Sequence, residues 1–109
     1  MSLAAPTHFD SVKATVKANI YFDGKVVSHT IELASGEKKT LGLIYPGEYR
    51  FNTGVAEVMA ISGGICRAKL AGESAFKTYN AGEAFQVPGN SYFDIAVDTG
   101  IAEYVCSFV

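Results

Sequence analysis

The sequences EVMAISGG, residues 57–64, and GEAFQVPGNS, residues 82–91, are the segments most informative about the architecture of this chain. In the first, six residues separate Glu57 from Gly64; in the second, five residues separate Gly82 from a Pro-Gly pair. Short apolar runs that end in such turn residues are typical of successive β-strands. Neither segment contains histidine, so Glu57 is the chemically distinctive side chain of the pair.

The two segments resemble the two halves of the cupin signature, which lies on strands of a small β-barrel. The metal-binding form of that signature carries two histidines and a glutamate in its first half and a third histidine in its second. Here nine residues separate Gly47 from Glu57, fewer than that form requires, and none is histidine. One carboxylate without imidazole is a poor transition-metal site. We therefore expect no metal and no other cofactor.

Period-two alternation and regular turns predict an all-β fold. In residues 48–53, charged or amide side chains alternate with aromatic or hydroxyl ones, as a half-buried strand requires. Turn pairs containing glycine recur throughout the sequence and predict eight to ten short strands. Open strand edges promote aggregation, so a closed double sheet is favoured. The predicted architecture is a single-domain, cupin-type jelly-roll barrel.

The strand pattern begins near Phe9. We predict a flexible N-terminal arm over residues 1–8 and a cupin barrel domain over residues 9–109. Within the domain, Asp23-Gly24 separates two apolar runs and predicts a hairpin, because both residues tolerate positive φ.

Composition narrows the classes of partner. Of 109 residues, 49% are hydrophobic and 18% are charged. The net charge is −2 and the basic residues are spread singly apart from Lys38-Lys39, so the chain has no basic stripe that would bind nucleic acid. No signal peptide is recognisable, and no run of 18 apolar residues exists to cross a membrane. We expect a cytoplasmic protein in which Cys66 and Cys106 are reduced thiols that pack as small hydrophobes. A disulfide between them is the alternative.

Glu57 is the leading candidate for chemistry. Alternation places it on one strand face with Met59 and Ile61, so this face is predicted to line the barrel interior. A carboxyl group among apolar side chains has a raised pKa unless donors surround it, and such costly groups usually have a partner or a function. The alternative is a structural glutamate that is hydrogen-bonded across the sheet.

The strand before Glu57 supplies a second set of candidates. The same alternation turns Tyr49, Phe51 and Thr53 inward, where they would offer stacking surface and a hydroxyl. Simple core packing explains the aromatic residues equally well. The Thr53 hydroxyl needs a partner if it is buried.

Four further residues are candidates because of their polar or charged groups. Gln86 and Asn90 flank the Pro-Gly turn, where an amide would reach a ligand at the barrel mouth. Stabilisation of the turn is the alternative for Asn90. Lys38 and Arg50 are long enough to reach an anion at the rim, although solvated surface charge is the simpler interpretation.

Five sequence blocks together resemble the small single-domain cupins known as pyrimidine/purine nucleoside phosphorylases. They cover most of the chain from Phe9 onward in matching order and spacing. Many relatives have a tryptophan before the second Ala-Gly, whereas this chain has none and Phe76 stands nearby. The blocks are NIYFDGKVVS (19–28), TLGLIYPGEYRFNT (40–53), EVMAISGG (57–64), AGEAFQVPGNSYFDIAV (81–97) and EYVCSF (103–108).

The resemblance implies a pentosyltransferase that phosphorolyses purine and pyrimidine ribonucleosides to free base and ribose 1-phosphate. It implies inorganic phosphate as co-substrate, no metal and a homodimer. Residues 10–21, which are peripheral and strand-like, are the predicted dimer interface.

Roles for the candidates follow from which strand face each occupies. Glu57 is predicted to contact ribose or to transfer a proton, and Tyr49 to stack on substrate. Thr53, Gln86 and Asn90 are predicted to bind ribose or phosphate, and Lys38 or Arg50 to attract phosphate. The alternative functions are a non-catalytic sugar- or nucleoside-binding cupin, a metal-dependent oxygenase or isomerase, and a purely structural protein.

Overall fold

The computed structural model describes residues 6–109, and nearly all of its regular structure is β. Eleven strands are present in this range, more than the eight to ten expected, because the first two are short edge pieces. They are β1 (Lys13–Ala14), β2 (Asn19–Tyr21), β3 (Val26–Glu32), β4 (Lys38–Ile44), β5 (Gly47–Asn52), β6 (Glu57–Gly63), β7 (Ile65–Leu70), β8 (Lys77–Asn80), β9 (Ala84–Val87), β10 (Tyr92–Val97) and β11 (Ala102–Phe108). A 3₁₀ turn at Phe22–Gly24 joins β2 to β3.

Two antiparallel sheets face each other across one core. The large sheet has the order β1-β3-β4-β11-β6-β9, with β2 also paired to β3, and the small sheet has the order β5-β10-β7-β8. The sheets remain separate, so the cupin-type architecture is that of a β-sandwich and the predicted barrel is not closed. The core between them is apolar, and Val26, Ile44, Ile61, Phe93 and Ile95 are almost fully buried.

The predicted hairpin is confirmed, but its turn is longer than two residues. Strands β2 and β3 pair antiparallel, with Tyr21 opposite Val26. Phe22, Asp23 and Gly24 have φ values of 53°, 56° and 91°. A phenylalanine with positive φ is strained, and here its ring packs 5.0 Å from Tyr49 and 5.4 Å from Phe51, centroid to centroid. These aromatic contacts help to offset the strain.

The outer face of the large sheet also carries apolar residues. Leu41, Leu43 and Val105 border a groove on this face together with residues 6–9. Residues 6–8 of the predicted arm therefore lie beside the sheet, and residues 1–5 lie outside the described part of the chain. Within residues 6–109, the structure contains no helix of the length and hydropathy that a bilayer crossing requires.

Candidate functional site

A cavity of about 170 Å³ opens between the sheets, and both polar and apolar side chains line it. The inner face of the large sheet supplies most of its wall, because alternate residues of β3, β4, β6 and β11 point into it. Its lining residues are Tyr21, Ser28, Thr40, Ile44, Phe51, Asn52, Glu57, Met59, Phe93, Tyr104, Cys106 and Phe108.

Glu57 lines this cavity, as its strand face predicted. Its side chain is half-buried, and the Cys106 thiol donates a hydrogen bond to Glu57 Oε1 over 3.4 Å. Burial raises the pKa of the Glu57 carboxyl, and the hydrogen bond from Cys106 opposes that rise. Burial and the adjacent carboxylate in turn raise the pKa of the Cys106 thiol. Glu57 is thus a carboxyl group that holds its proton more strongly than an exposed glutamate does.

A row of neutral side chains crosses the large sheet and meets β6 at Ile61, four residues from Glu57. Asn19, Ser28, Gly42 and Tyr104 lie opposite one another on β2, β3, β4 and β11, and we call them the Ser28 row. Asn19 Nδ2 donates to Ser28 Oγ over 3.2 Å and also to Thr30 Oγ1 over 3.2 Å. Burial raises the pKa of Tyr104 to about 12, and the nearby Ser28 hydroxyl opposes the rise. The row therefore presents amide and hydroxyl groups without net charge.

Gly42 makes room for the Tyr104 ring. A Cβ atom on Gly42 would overlap the ring and hydroxyl of Tyr104, which lies across this position toward Ser28. The glycine is needed for space, not for unusual backbone geometry, because φ here is ordinary.

Lys38 lies at the same end of the cavity as Glu57. It shares the inner face of β4 with Thr40, two residues further along the strand, which lines the cavity. Lys39 pairs with Ser107, so the same antiparallel register places Lys38 opposite Phe108, whose other neighbour is Glu57. Lys38 and Glu57 are therefore two strands apart, about 10 Å in backbone spacing.

Two inward-facing candidates use their hydroxyl groups on the backbone and are absent from the cavity lining. The buried Tyr49 hydroxyl shares its hydrogen between the carbonyls of Tyr45 and Pro46, at 2.8 and 2.9 Å. Thr53 Oγ1 donates to the Pro88 carbonyl over 2.7 Å and accepts from the Ser91 N–H over 2.9 Å. Both residues hold turns in place, and neither offers a hydroxyl to the cavity.

The two candidates with amide side chains also lie away from the cavity. Gln86 points to the exposed side of β9, between the buried Phe85 and Val87. Asn90 is exposed and has a φ of 51°, which is typical of a turn asparagine. The turn-stabilising alternative therefore describes Asn90 better than a role at the cavity mouth.

Arg50 lies on the outer face of the small sheet. Its guanidinium donates to both carboxylate oxygens of Asp94, at 2.8 and 3.1 Å, and lies over the Tyr92 ring. The hydrogen bonds from Arg50 lower the pKa of Asp94. Arg50 therefore has an acidic partner on a face that the cavity does not reach, and of the two proposed phosphate-attracting residues only Lys38 is close to Glu57.

Neither a metal cluster nor a disulfide occurs in the described residues. No group of three His, Cys, Asp or Glu side chains in residues 6–109 is placed to bind a metal ion. Cys66 and Cys106 are both buried and free. Burial raises the pKa of Cys66 to about 11.

Sequence reasoning missed most of the polar lining. The lining residues Ser28, Thr40, Asn52 and Tyr104 were not among the candidates, and neither was Asn19, which donates to Ser28. Alternation along β3 and β4 could have predicted that Ser28 and Thr40 point inward, because they share strand faces with the apolar Val26 and Ile44. Their convergence, however, depends on strand pairing that local sequence does not reveal.

Comparison with known proteins places the chain in a family. The family model described as pyrimidine/purine nucleoside phosphorylase matches residues 16–108. The chain belongs to the pyrimidine/purine nucleoside phosphorylase family. A phosphorylase of that name from Cupriavidus metallidurans is 55% identical over 102 residues, covering 94% of this chain and 98% of the relative. The phosphorylase from Herminiimonas arsenicoxydans is 54% identical over 104 residues, with the same coverage.

Solved structures agree with the predicted fold. A protein of unknown function from Acinetobacter sp. ADP1 is 42% identical and superposes with a TM-score of 0.91, covering 94% of this chain and 98% of that one. A cupin-2 domain from Rhodospirillum rubrum is 13% identical with a TM-score of 0.67, covering 97% of this chain and 74% of that one. The second comparison supports the cupin-type fold alone. The predicted family resemblance and the cupin-type fold are both confirmed.

Proposed function

We propose that this nucleoside phosphorylase converts purine and pyrimidine ribonucleosides, with inorganic phosphate, to free base and ribose 1-phosphate, without a metal. The observation that carries the proposal is the half-buried Glu57, a carboxyl group with a raised pKa in the cavity of a family member. Such a group can supply a proton at a pH where an exposed glutamate is ionised.

The proposed reaction is a displacement at the anomeric carbon. A phosphate oxygen forms a bond to C1′ while the bond from C1′ to the base nitrogen breaks, and its electron pair leaves with the base. The Glu57 carboxyl gives its proton to the departing base and later regains one from solvent. Positive charge that develops on the sugar ring is stabilised by the incoming anion, as in glycoside cleavage.

Lys38 is the proposed electrostatic attractor for phosphate. It is exposed, and its strand register places it at the Glu57 end of the cavity, beside the lining residue Thr40. An ammonium group at this position attracts an anion toward C1′ without contacting the base. Arg50 is excluded from this role in our proposal because Asp94 already binds it.

The size of the cavity supports tolerance of different bases. At about 170 Å³ it is smaller than the roughly 300–1,000 Å³ of pockets that enclose drug-sized ligands. A sugar therefore occupies the cavity while the base projects beside Glu57, where the Phe108 ring is exposed. Stacking on such rings is insensitive to the identity of the base.

A single assay tests the proposed function. The protein is incubated with uridine or inosine, with and without phosphate, and free base and ribose 1-phosphate are quantified. We expect base release from both nucleosides only when phosphate is present, at a rate unchanged by prior treatment with a chelator. Release without phosphate would indicate a hydrolase, binding without release a sensor, and loss of activity on chelation a metal-dependent cupin. Each of these results would overturn the proposal.

The homodimer is a further proposal. Within the predicted interface stretch, residues 10–21, Val16 is 92% exposed and Ile20 is 65% exposed. Light scattering at micromolar concentration is expected to give the mass of two chains, and Ile20→Glu is expected to shift it toward one. Ile65→Glu, a charge introduced at a 55% exposed isoleucine on the small sheet, is the control that keeps the dimer. A wild-type monomer would contradict the proposal.

The cytoplasmic location stays a prediction.

A further inference from the structure

We propose that the Ser28 row is the sugar-reading subsite of the cavity: Ser28 and Tyr104, supported by Asn19, recognise a ring hydroxyl of the ribose. This inference deepens the proposed function and rests on it. Residues of the large sheet would then determine which sugar binds, whereas purine and pyrimidine bases would bind with similar affinity.

The hydrogen-bonding capacity of the row is the first argument. Ser28 Oγ accepts from Asn19 Nδ2 over 3.2 Å, and Ser28 lines the cavity together with Tyr104. The Ser28 residue is only 2% exposed. A buried polar group of this kind binds a partner or costs free energy, and a hydroxyl that both donates and accepts is matched to a ligand hydroxyl that does the same.

Charge is the second argument. Every side chain of the Ser28 row is neutral near pH 7, since amides and serine do not ionise there and tyrosine keeps its proton; burial raises the pKa of Tyr104 further, to about 12. A phosphate dianion is better placed at the Lys38 end, two residues along β4 from Thr40. A neutral polyol, by contrast, can replace its hydrogen bonds to water with hydrogen bonds to these neutral donors and acceptors.

Geometry is the third argument. Tyr104 can reach Ser28 only because Gly42 lies between them without a side chain. Cys106, which contacts Glu57, follows Tyr104 on the same face of β11. A sugar that hydrogen-bonds to the Ser28 row would therefore have its anomeric carbon directed toward Glu57 at the adjacent end of the cavity.

The test compares ribonucleosides with their 2′-deoxy and 3′-deoxy analogues. In Ser28→Ala, and separately in Tyr104→Phe, kcat/KM for uridine is expected to fall about tenfold, with little change for one of the two deoxy analogues. Preference for ribose over that analogue should therefore shrink about tenfold. Ser62→Ala removes a hydroxyl from the exposed outer face of the same sheet and should leave all three values unchanged.

The controls separate this inference from the proposed function. Equal losses on uridine and both analogues in the Ser28→Ala and Tyr104→Phe proteins would indicate a structural role and overturn the inference, as would no change on any of them. If wild-type protein releases no base, the same comparison is made by calorimetric binding of uridine and its deoxy analogues. Weaker binding of one analogue, with the difference lost in Ser28→Ala, supports the subsite even then. Equal binding or no binding overturns it.

Discussion

Replacement of Glu57 by glutamine is expected to lower kcat for phosphorolysis about 100- to 10,000-fold, the range that loss of a general acid typically produces. The substituted amide keeps the shape of the side chain but has no acidic proton to give to the departing base. Steady-state kinetics with uridine and phosphate measure the effect. Glu48→Gln removes the same charge from an exposed position on β5 and is the matched control.

The pH dependence of the wild-type protein provides a second readout of the same group. Glu57 must be protonated to act as an acid, and burial raises its pKa, so kcat should fall as pH rises through the folded-state pKa. The contribution of this group to the free energy of unfolding follows the same direction. It is fully present below the unfolded-state pKa and is lost as pH rises through the folded-state pKa.

Glu57→Gln removes this titration. Chemical denaturation at a series of pH values should therefore show a flatter stability profile for the variant than for wild type. A variant with a native fold and unchanged turnover would remove Glu57 from the mechanism. If a partly active variant showed the same fall in kcat with rising pH as wild type, that fall would be due to a group other than Glu57.

Gly42→Ala is expected to lower the free energy of unfolding by about 1–3 kcal/mol, the usual cost of overpacking a well-filled interior. The added methyl group overlaps the Tyr104 ring, so the ring must leave the position from which it reaches Ser28. Denaturant titration measures the loss. The preference for uridine over the discriminated deoxy analogue should also fall in this variant, because the displaced Tyr104 ring no longer reaches Ser28.

Two further variants make the Gly42 prediction specific. Gly54→Ala adds the same methyl group where nothing lies within 4 Å and should change stability by less than about 0.5 kcal/mol. Tyr104→Leu removes the ring that the methyl group would strike, so Gly42→Ala should cost less in that background. Equal costs in the two backgrounds would show that the Gly42 and Tyr104 positions are not coupled.

Local sequence was sufficient for the fold class and for the orientation of Glu57. The alternation through β6 placed Glu57, Met59 and Ile61 on one face, and the structure has Met59 and Ile61 buried and Glu57 half-buried on that face. The Asp23-Gly24 turn correctly predicted the hairpin, although the positive φ of Phe22 could not be predicted, because it depends on aromatic packing against β5.

The partners of the polar candidates were decided by tertiary structure. Alternation correctly turned Thr53 inward, but its hydroxyl is bonded to the turn around Pro88, 35 residues away. Arg50 likewise donates to Asp94 on β10, 44 residues away. Strand pairing chooses these partners, and no local pattern carries that information.

The amino-acid sequence was enough to predict a β-rich cupin-type chain, the inward face of Glu57 and the family to which the chain belongs. Tertiary structure was needed to bring Tyr104 into one row with Asn19 and Ser28, because β4 pairs with both β3 and β11 and so aligns Tyr104 with residues much earlier in the chain. The period of two fixes which side of a strand a residue faces, whereas cross-strand register fixes which residues meet there.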